Sequence, residues 1–300
     1  MKKFIKICLI AGSICVLVGG GISAVSAVMG GKLQDIVPQR AIEWRREISG
    51  IALDNFWEGE NFNDFYVPET FNREEKGQEI FSSPDVKKLD IVMRTGNVVF
   101  VEDPLGSEVK IFANRDKTCW SLYEEHGELE LQEYNGWERK DGPELLFTVQ
   151  VPKDYRFSEV SLKSVHSNRF SGGESSGPAM MAQTLSAEEL DIEVQAGAVK
   201  IGRGNVGTLS IEINAGAVEF SGTTSGDIEA VCQVGAIRLE LDGKKEDYNY
   251  DVQCKVGAVK IGEESSAALK GRKQTDNGAG KDMDLECKTG AIQVVFMNEL

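Results

Sequence analysis

One phrase recurs six times along this chain, and it leaves few folds open. The copies read LDIVMRTGNVVF, LDIEVQAGAVKI, LSIEINAGAVEF, IEAVCQVGAIRL, YDVQCKVGAVKI and MDLECKTGAIQV, built around glycines at 96, 197, 216, 235, 257 and 290. With the glycine as position zero, positions −7, −5, −3, −1, +2 and +4 make 36 sites. Only Thr95 and Thr289 among them are plainly polar. The interleaved positions −6, −4 and −2 make 18 sites, and only Val92 and Val231 are apolar. Alternation with period two marks a strand with one buried face. The parity changes at the glycine, so one residue is inserted there and the strand must turn a corner for both arms to reach one core. Glycine suits such a corner because it tolerates positive φ and close backbone approach. The alanine that follows (198, 217, 236, 258, 291) suits the crowding.

Spacings of 19, 19, 22 and 33 residues separate the last five glycines. Nineteen residues hold a bent strand and a short return, the length of one coil of a solenoid. Hairpins would alternate two patterns, whereas one motif at a nearly constant period calls for parallel, in-register neighbours. The fold class expected is therefore all-β: a parallel β-solenoid (β-helix-like) with irregular antiparallel strands near its start. The extra residues of the longer spacings, Gly243–Asn249 and Glu263–Lys281, read as loops. Between Val101 and Glu188 the repeat decays into expected strands at Val109–Ala113, Cys119–Glu124, Glu128–Tyr134, Glu144–Val151 and Phe157–Val165. Glu125-His126-Gly127 is a hairpin turn, and Ser171–Ser186 a loop.

Column by column, the repeat also assigns roles. Gln195, Asn214 and Gln233 at −2 would stack as an amide ladder between in-register strands. Cys232, Cys254 and Cys287 at −3 alternate with the apolar set, so they read as buried free thiols in successive coils. The acids at −6 (Asp90, Asp191, Glu229, Asp251, Asp284) read as the solvated face, with a shared cation as the alternative. The last coil ends at Val294-Val295-Phe296 with four residues to follow, which would leave an open edge for self-association through the C-terminal coil.

Residues Ile7 to Met29 are 23 uncharged, mostly apolar residues behind Lys2, Lys3 and Lys6. That length spans a bilayer core of about 30 Å as a helix. Lysines before it and acids after it orient the N-terminus inside. A cleavable signal ending at Val25-Ser26-Ala27 is the alternative, although its apolar region is usually shorter. The organisation expected is a cytoplasmic tail at 1–6, a transmembrane signal anchor at 7–29, a juxtamembrane segment at 30–80 and a β-repeat domain at 81–300. A short amphipathic helix follows Pro38 in the third of these. The formal charge of the whole chain is −15. Beyond the three lysines it is 30 basic against 48 acidic residues, or −18, which disfavours nucleic acid as a partner.

Catalytic, cofactor and metal motifs find no footing. The two histidines, His126 and His166, are far apart, and the cysteines form no CxxC pair. Gly202-Arg203-Gly204-Asn205-Val206-Gly207 matches G-x-G-x-x-G, but a strand pattern follows where pyrophosphate binding needs a helix N-terminus, so it reads as a turn between coils. Trp120, Trp137, Tyr123 and Tyr134 read as cross-strand packing rather than a sugar platform.

Three features together resemble the bacterial β-strand-repeat family known as "putative adhesin", a domain of unknown function. They are the lysine-led anchor, LDIVMRTGNVVF, and Val151-Pro152-Lys153-Asp154 leading through VSLKS into the Gly-Ala-Val strands. The resemblance covers about residues 80–300 and implies a protein of the cell envelope without established catalytic residues. Where relatives have Ser-Gly after the VSLKS strand, this chain has Val165-His166. The expected function is non-enzymatic. It is a membrane-anchored envelope protein, single-pass at residues 7–29 with its C-terminal domain outside, acting as an adhesin-like binder, scaffold or stress module. Its partners would be envelope proteins or cell-wall glycans. A carbohydrate-active enzyme on a β-helix and a self-assembling envelope filament are the rivals.

Overall fold

The alternation read from the sequence is laid down as strands. The computed structural model of the protein describes residues 77–134, 145–165, 178–262, 264–267 and 271–297. The expected anchor at 7–29 and nearly all of the juxtamembrane segment at 30–80 lie outside them. Among the described residues no helix is long and apolar enough to cross a membrane.

The first strands are β1 (Gln78–Ser83), β2 (Lys88–Met93), β3 (Asn97–Asp103), β4 (Val109–Ala113), β5 (Trp120–Glu125) and β6 (Glu128–Glu133). They are followed by β7 (Leu146–Pro152), β8 (Phe157–Ser164), β9 (Ala179–Ala182), β10 (Leu185–Val194) and β11 (Gly197–Ile213). The chain ends in β12 (Gly216–Thr224), β13 (Ile228–Leu241), β14 (Asn249–Ile261), β15 (Glu264–Ala267), β16 (Gly271–Thr275) and β17 (Asp282–Phe296). A 3-10 turn at Lys245–Asp247 accompanies them. The described chain is all-β.

Strands carrying the repeat pair parallel and in register. Gly197 lies beside Gly216, Gly216 beside Gly235, Gly235 beside Gly290, and Gly290 beside Gly257. Before the corner the order is β5-β6-β2-β8-β10-β11-β13-β17-β14-β16. After the corner it runs β1-β4-β7-β3-β9-β11-β12-β13-β17-β14-β15. Positions −7, −5, −3, +2 and +4 of all six copies join one hydrophobic cluster, with Ile261 alone only partly buried.

Several expectations need correction. Position −1 faces out: Val234 is 54 % and Val256 47 % exposed. The parity change therefore follows position −3, and the two polar exceptions in that column, Thr95 and Thr289, were its sign. The stack is not sequential, because β17 slides between β13 and β14. The C-terminal coil is thus an interior layer, not an open end. The presumed loop at 263–281 contains β15 and β16, which pair antiparallel with β14 and cover its outer edge. β9 and the start of β10 lie within the presumed loop at 171–186. The G-x-G-x-x-G segment is extended rather than a turn: Gly204 pairs with Leu185 on one side and Gly222 on the other.

The first corner ends the ladder differently from the rest. At later corners the backbone donor meets a carbonyl of the neighbouring strand, as Asn214 N–H does at Val194 (2.8 Å). At the corner of β2 and β3, β6 ends at Glu133, and the fully buried Glu133 side chain serves instead. Its Oε2 accepts from the N–H groups of Arg94 (2.7 Å), Thr95 (2.9 Å) and Gly96 (3.0 Å), and its Oε1 from the Thr95 hydroxyl (2.6 Å). Nothing in the local sequence announces that role.

Candidate functional site

The outward face of β6, β2, β8, β10 and β11 forms a groove of about 680 Å³. Position −6 makes its floor: Glu130, Asp90, Ser161, Asp191 and Ser210 stand on successive strands. The β5–β6 hairpin adds Tyr123, Glu125 and His126 to the lining. That hairpin turns where the sequence indicated, through left-handed His126 (φ 54°) and Gly127 (φ 82°).

The lining is strongly acidic, with eight carboxylates against two lysines. Lys88 Nζ lies 2.9 Å from Glu159 and 3.6 Å from Glu128, while Lys163 Nζ lies 3.8 Å from Asp90 Oδ2. Glu159, which also supports the raised Lys88 ammonium, lifts the neighbouring Asp191 as well. Burial first and that charge second hold the Asp191 carboxyl above the ordinary carboxylate range, against Lys163 and a hydrogen bond from Ser210. Farther along the row Asp284 is also raised, by burial and by Asp251. Asp251 itself is lowered by hydrogen bonds from Arg272. The −6 column is thus a continuous outward row, and the hairpin makes one stretch of it concave.

The other sequence candidates fall elsewhere. Cys232, Cys287 and Cys254 are buried and unbridged, as is Cys119. Their order in space is 232, 287, 254, so the successive-coil order is corrected with the stack. Burial pushes the Cys254 thiol up to about 11. The Cys287 thiol is raised by its hydrogen bond with Cys232 and by burial. The amide Nε2 of Gln195 lies 3.4 Å from Glu193 on its own strand. Trp120 is core, packed edge-on against Phe147 at 5.9 Å, which removes it from any sugar platform. Tyr123 and Tyr134 are exposed. His126 is exposed at the groove mouth, and His166 and Trp137 lie outside the described residues. Among the described residues no three His, Cys, Asp or Glu are placed to hold a metal ion.

No curated protein matches the chain. Solved structures similar to the chain include three at 11 % identity. One is a putative cell adhesion protein from Clostridium sporogenes, covering 70 % of this chain and 92 % of its own, with a TM-score of 0.34. A putative adhesin from Bacteroides fragilis covers 72 % and 95 % with a TM-score of 0.34. Another from Parabacteroides distasonis covers 74 % and 98 % with a TM-score of 0.26. A family model matches residues 157–295, a span that starts at β8 and runs into β17. Over residues 157–295 the chain carries a Toastrack DUF4097 domain, a domain of unknown function.

Proposed function

We propose that this protein is a non-enzymatic binding or scaffold module of the cell envelope, held at the membrane by residues 7–29 with its solenoid-like β-repeat domain outside. The observation that carries the reading is the groove on the stacked strands. It is concave, strongly charged and built from the same outward row that runs along the whole sheet, so it offers a surface for recognition. The acidic ectodomain and the lysine-led apolar run support the orientation. Partners would be envelope proteins or cell-wall glycans. The test is a binding screen of the purified protein against cell-wall glycans and envelope proteins. Capture that is lost when the groove acids Glu193 and Glu212 are reversed to lysine supports the reading, and a screen without any capture overturns it.

One observation favours a second reading, a carbohydrate-active enzyme. Asp191 with its raised carboxyl stands two strands from Asp90 in a groove, and acid–base work needs two carboxyl groups held apart with different proton affinities. This reading predicts new reducing ends from cell-wall glycans that Asp191→Asn abolishes. Undiminished glycan after prolonged incubation would leave binding as the function. Self-assembly, in turn, would run through the outer edges of β15 and β16 or of β1 and β5, since β17 is interior. Sedimentation of Asp251→Lys beside the parent chain would detect it.

A further inference from the structure

Two polar atoms in the groove floor have no partner inside the protein. Asp90 Oδ1 and Ser161 Oγ are shut off from solvent, and neither makes a hydrogen bond. Ser161 is only 7 % exposed and lines the groove. Its neighbours on the adjoining strands are Asp90 on one side and Asp191 on the other. An unmet buried polar group costs about 1–3 kcal/mol, and native proteins leave few of them. A pair side by side therefore points to a missing partner.

The chemistry of that partner follows from the atoms. At a strand spacing of about 4.8 Å, Asp90 and Asp191 stand about 10 Å apart with the Ser161 hydroxyl between them, so a donor group seated over Ser161 has a carboxylate on either side to lean toward it. A primary ammonium carries three N–H donors and no acceptor. The charge agrees, since the two lysines of the lining leave six of its eight carboxylates unbalanced. Lys163 occupies only Oδ2 of Asp90. A neutral sugar would answer the hydrogen bonds but not the charge. A guanidinium carries its donors in a planar fork suited to the two oxygens of one carboxylate, whereas the unmet atoms of this floor are one carboxylate oxygen and one hydroxyl on different strands. Calcium needs six to eight oxygens at close range, and carboxylates on alternate strands do not supply them.

We propose that Asp90, Ser161 and Asp191 bind a primary ammonium group belonging to an extended basic ligand. The groove is far larger than one ammonium, so the remainder of the ligand lies along the acidic rows, with exposed Tyr123 at the mouth beside it. This rests on the binding-module reading and names the chemistry of its groove. The same ammonium occurs in a free polyamine and in a lysine side chain of a peptide.

Calorimetric titration of the full chain in detergent, at low ionic strength, separates the possibilities. The probes are spermine, tetralysine and tetralysine acetylated on every amine. One equivalent of spermine or tetralysine should bind, and acetylated peptide should not. Asp191→Asn should weaken binding at least tenfold and Ser161→Ala about threefold. Asp284→Asn, in the same row outside the groove, should change it less than twofold. Spermine equal to tetralysine identifies a polyamine as sufficient, and tetralysine alone identifies a peptide side chain; either result supports the site. Absent binding, binding of the acetylated peptide, or equal losses from Asp191→Asn and Asp284→Asn would overturn it. Both groove variants are checked for an unchanged melting temperature, and Asp191, at the open side of the row, is the one expected to fold without loss. Glycan or protein capture that survives Asp191→Asn and Ser161→Ala would overturn the ammonium site alone and leave the binding module standing.

Discussion

Replacing Gly216 by alanine tests the stack at one of its close-packed corners. Gly216 has φ 142°, a backbone region that L side chains rarely adopt. A Cβ built there falls 2.1 Å from the carbonyl oxygen of Gly197 on the neighbouring strand and 3.1 Å from Val194 Cγ1. Carbon–oxygen contacts in sheets sit at about 3.3–3.6 Å, so the neighbour would have to retreat by more than about 1 Å. That is a large fraction of a strand spacing of about 4.8 Å, and Gly235 is held against Gly216 in the same way. Backbone strain contributes about 1–3 kcal/mol, and each ladder hydrogen bond lost about 1 kcal/mol more. A destabilisation of roughly 3–5 kcal/mol is expected. In a domain of 150–250 residues each kcal/mol shifts the melting temperature by about 2–4 °C, so calorimetry should show a fall of roughly 10 °C. Gly280→Ala is the control, because a Cβ there meets nothing within 4 Å. Glu212→Gln, on the outward face, should likewise stay within about 0.5 kcal/mol. A Gly216→Ala protein melting within about 2 °C of Gly280→Ala would refute the corner argument.

Glu133→Ala should cost about 3 kcal/mol in denaturant unfolding, since it strands buried donors that met a charged acceptor, and a loss below about 1 kcal/mol would contradict that role. Cys254→Val should cost less than about 1.5 kcal/mol as a swap of similar volume, and native thiols should resist modification until denaturant is added. If oxidation forms any bridge, it should join Cys287 to Cys232 or to Cys254; a Cys232–Cys254 peptide would disprove the stack order. Because the Asp191 carboxyl is raised, the folded chain holds more proton there than the unfolded chain as pH climbs above about 4, so its contribution to stability falls with rising pH through that window. Asp191→Asn should remove this slope; a carboxyl NMR midpoint for Asp191 at the ordinary value would abolish the effect, and one below it would reverse the sign. Mass spectrometry of membrane-extracted protein should find a peptide containing Ile22–Lys32, whereas a mature N-terminus at Val28 would show the anchor to be cleaved.

The strands, core and corners of the six copies were legible in the residues alone because side-chain alternation is a property of the extended backbone and needs no knowledge of neighbours, whereas β9, β15 and β16, outside the copies, read as loops. Leu190, Ile192 and Val194 point inward whatever lies beside them, and a glycine equivalent to Gly197 follows that arm in every copy. In-register pairing also followed, since one motif repeated against itself aligns best glycine over glycine. Position −1 was misread because Val234 and Val256 are apolar yet lie on the outer side of the corner, where only Thr95 and Thr289 disclosed the turn.

The order of the layers was not legible, for a physical reason. Copies this similar present nearly the same contacts in any sequence of stacking, so Gly290 fits beside Gly235 as well as Gly257 would. What decides is connectivity and edge cover. The 33-residue spacing lets the chain fold β15 and β16 against β14 before β17 returns, which leaves β14 outermost with its edge already paired. The groove depends on tertiary placement in the same way. Asp90 and Asp191 of its floor could be listed from the repeat, but Ser161 and Glu130 belong to strands outside the six copies, and Tyr123 and Glu125 reach the site only because the β5–β6 hairpin extends the sheet beside β2. Alternation along one strand is a local property of the chain; which strands become neighbours, and where their outward row turns concave, is settled only when the layers assemble.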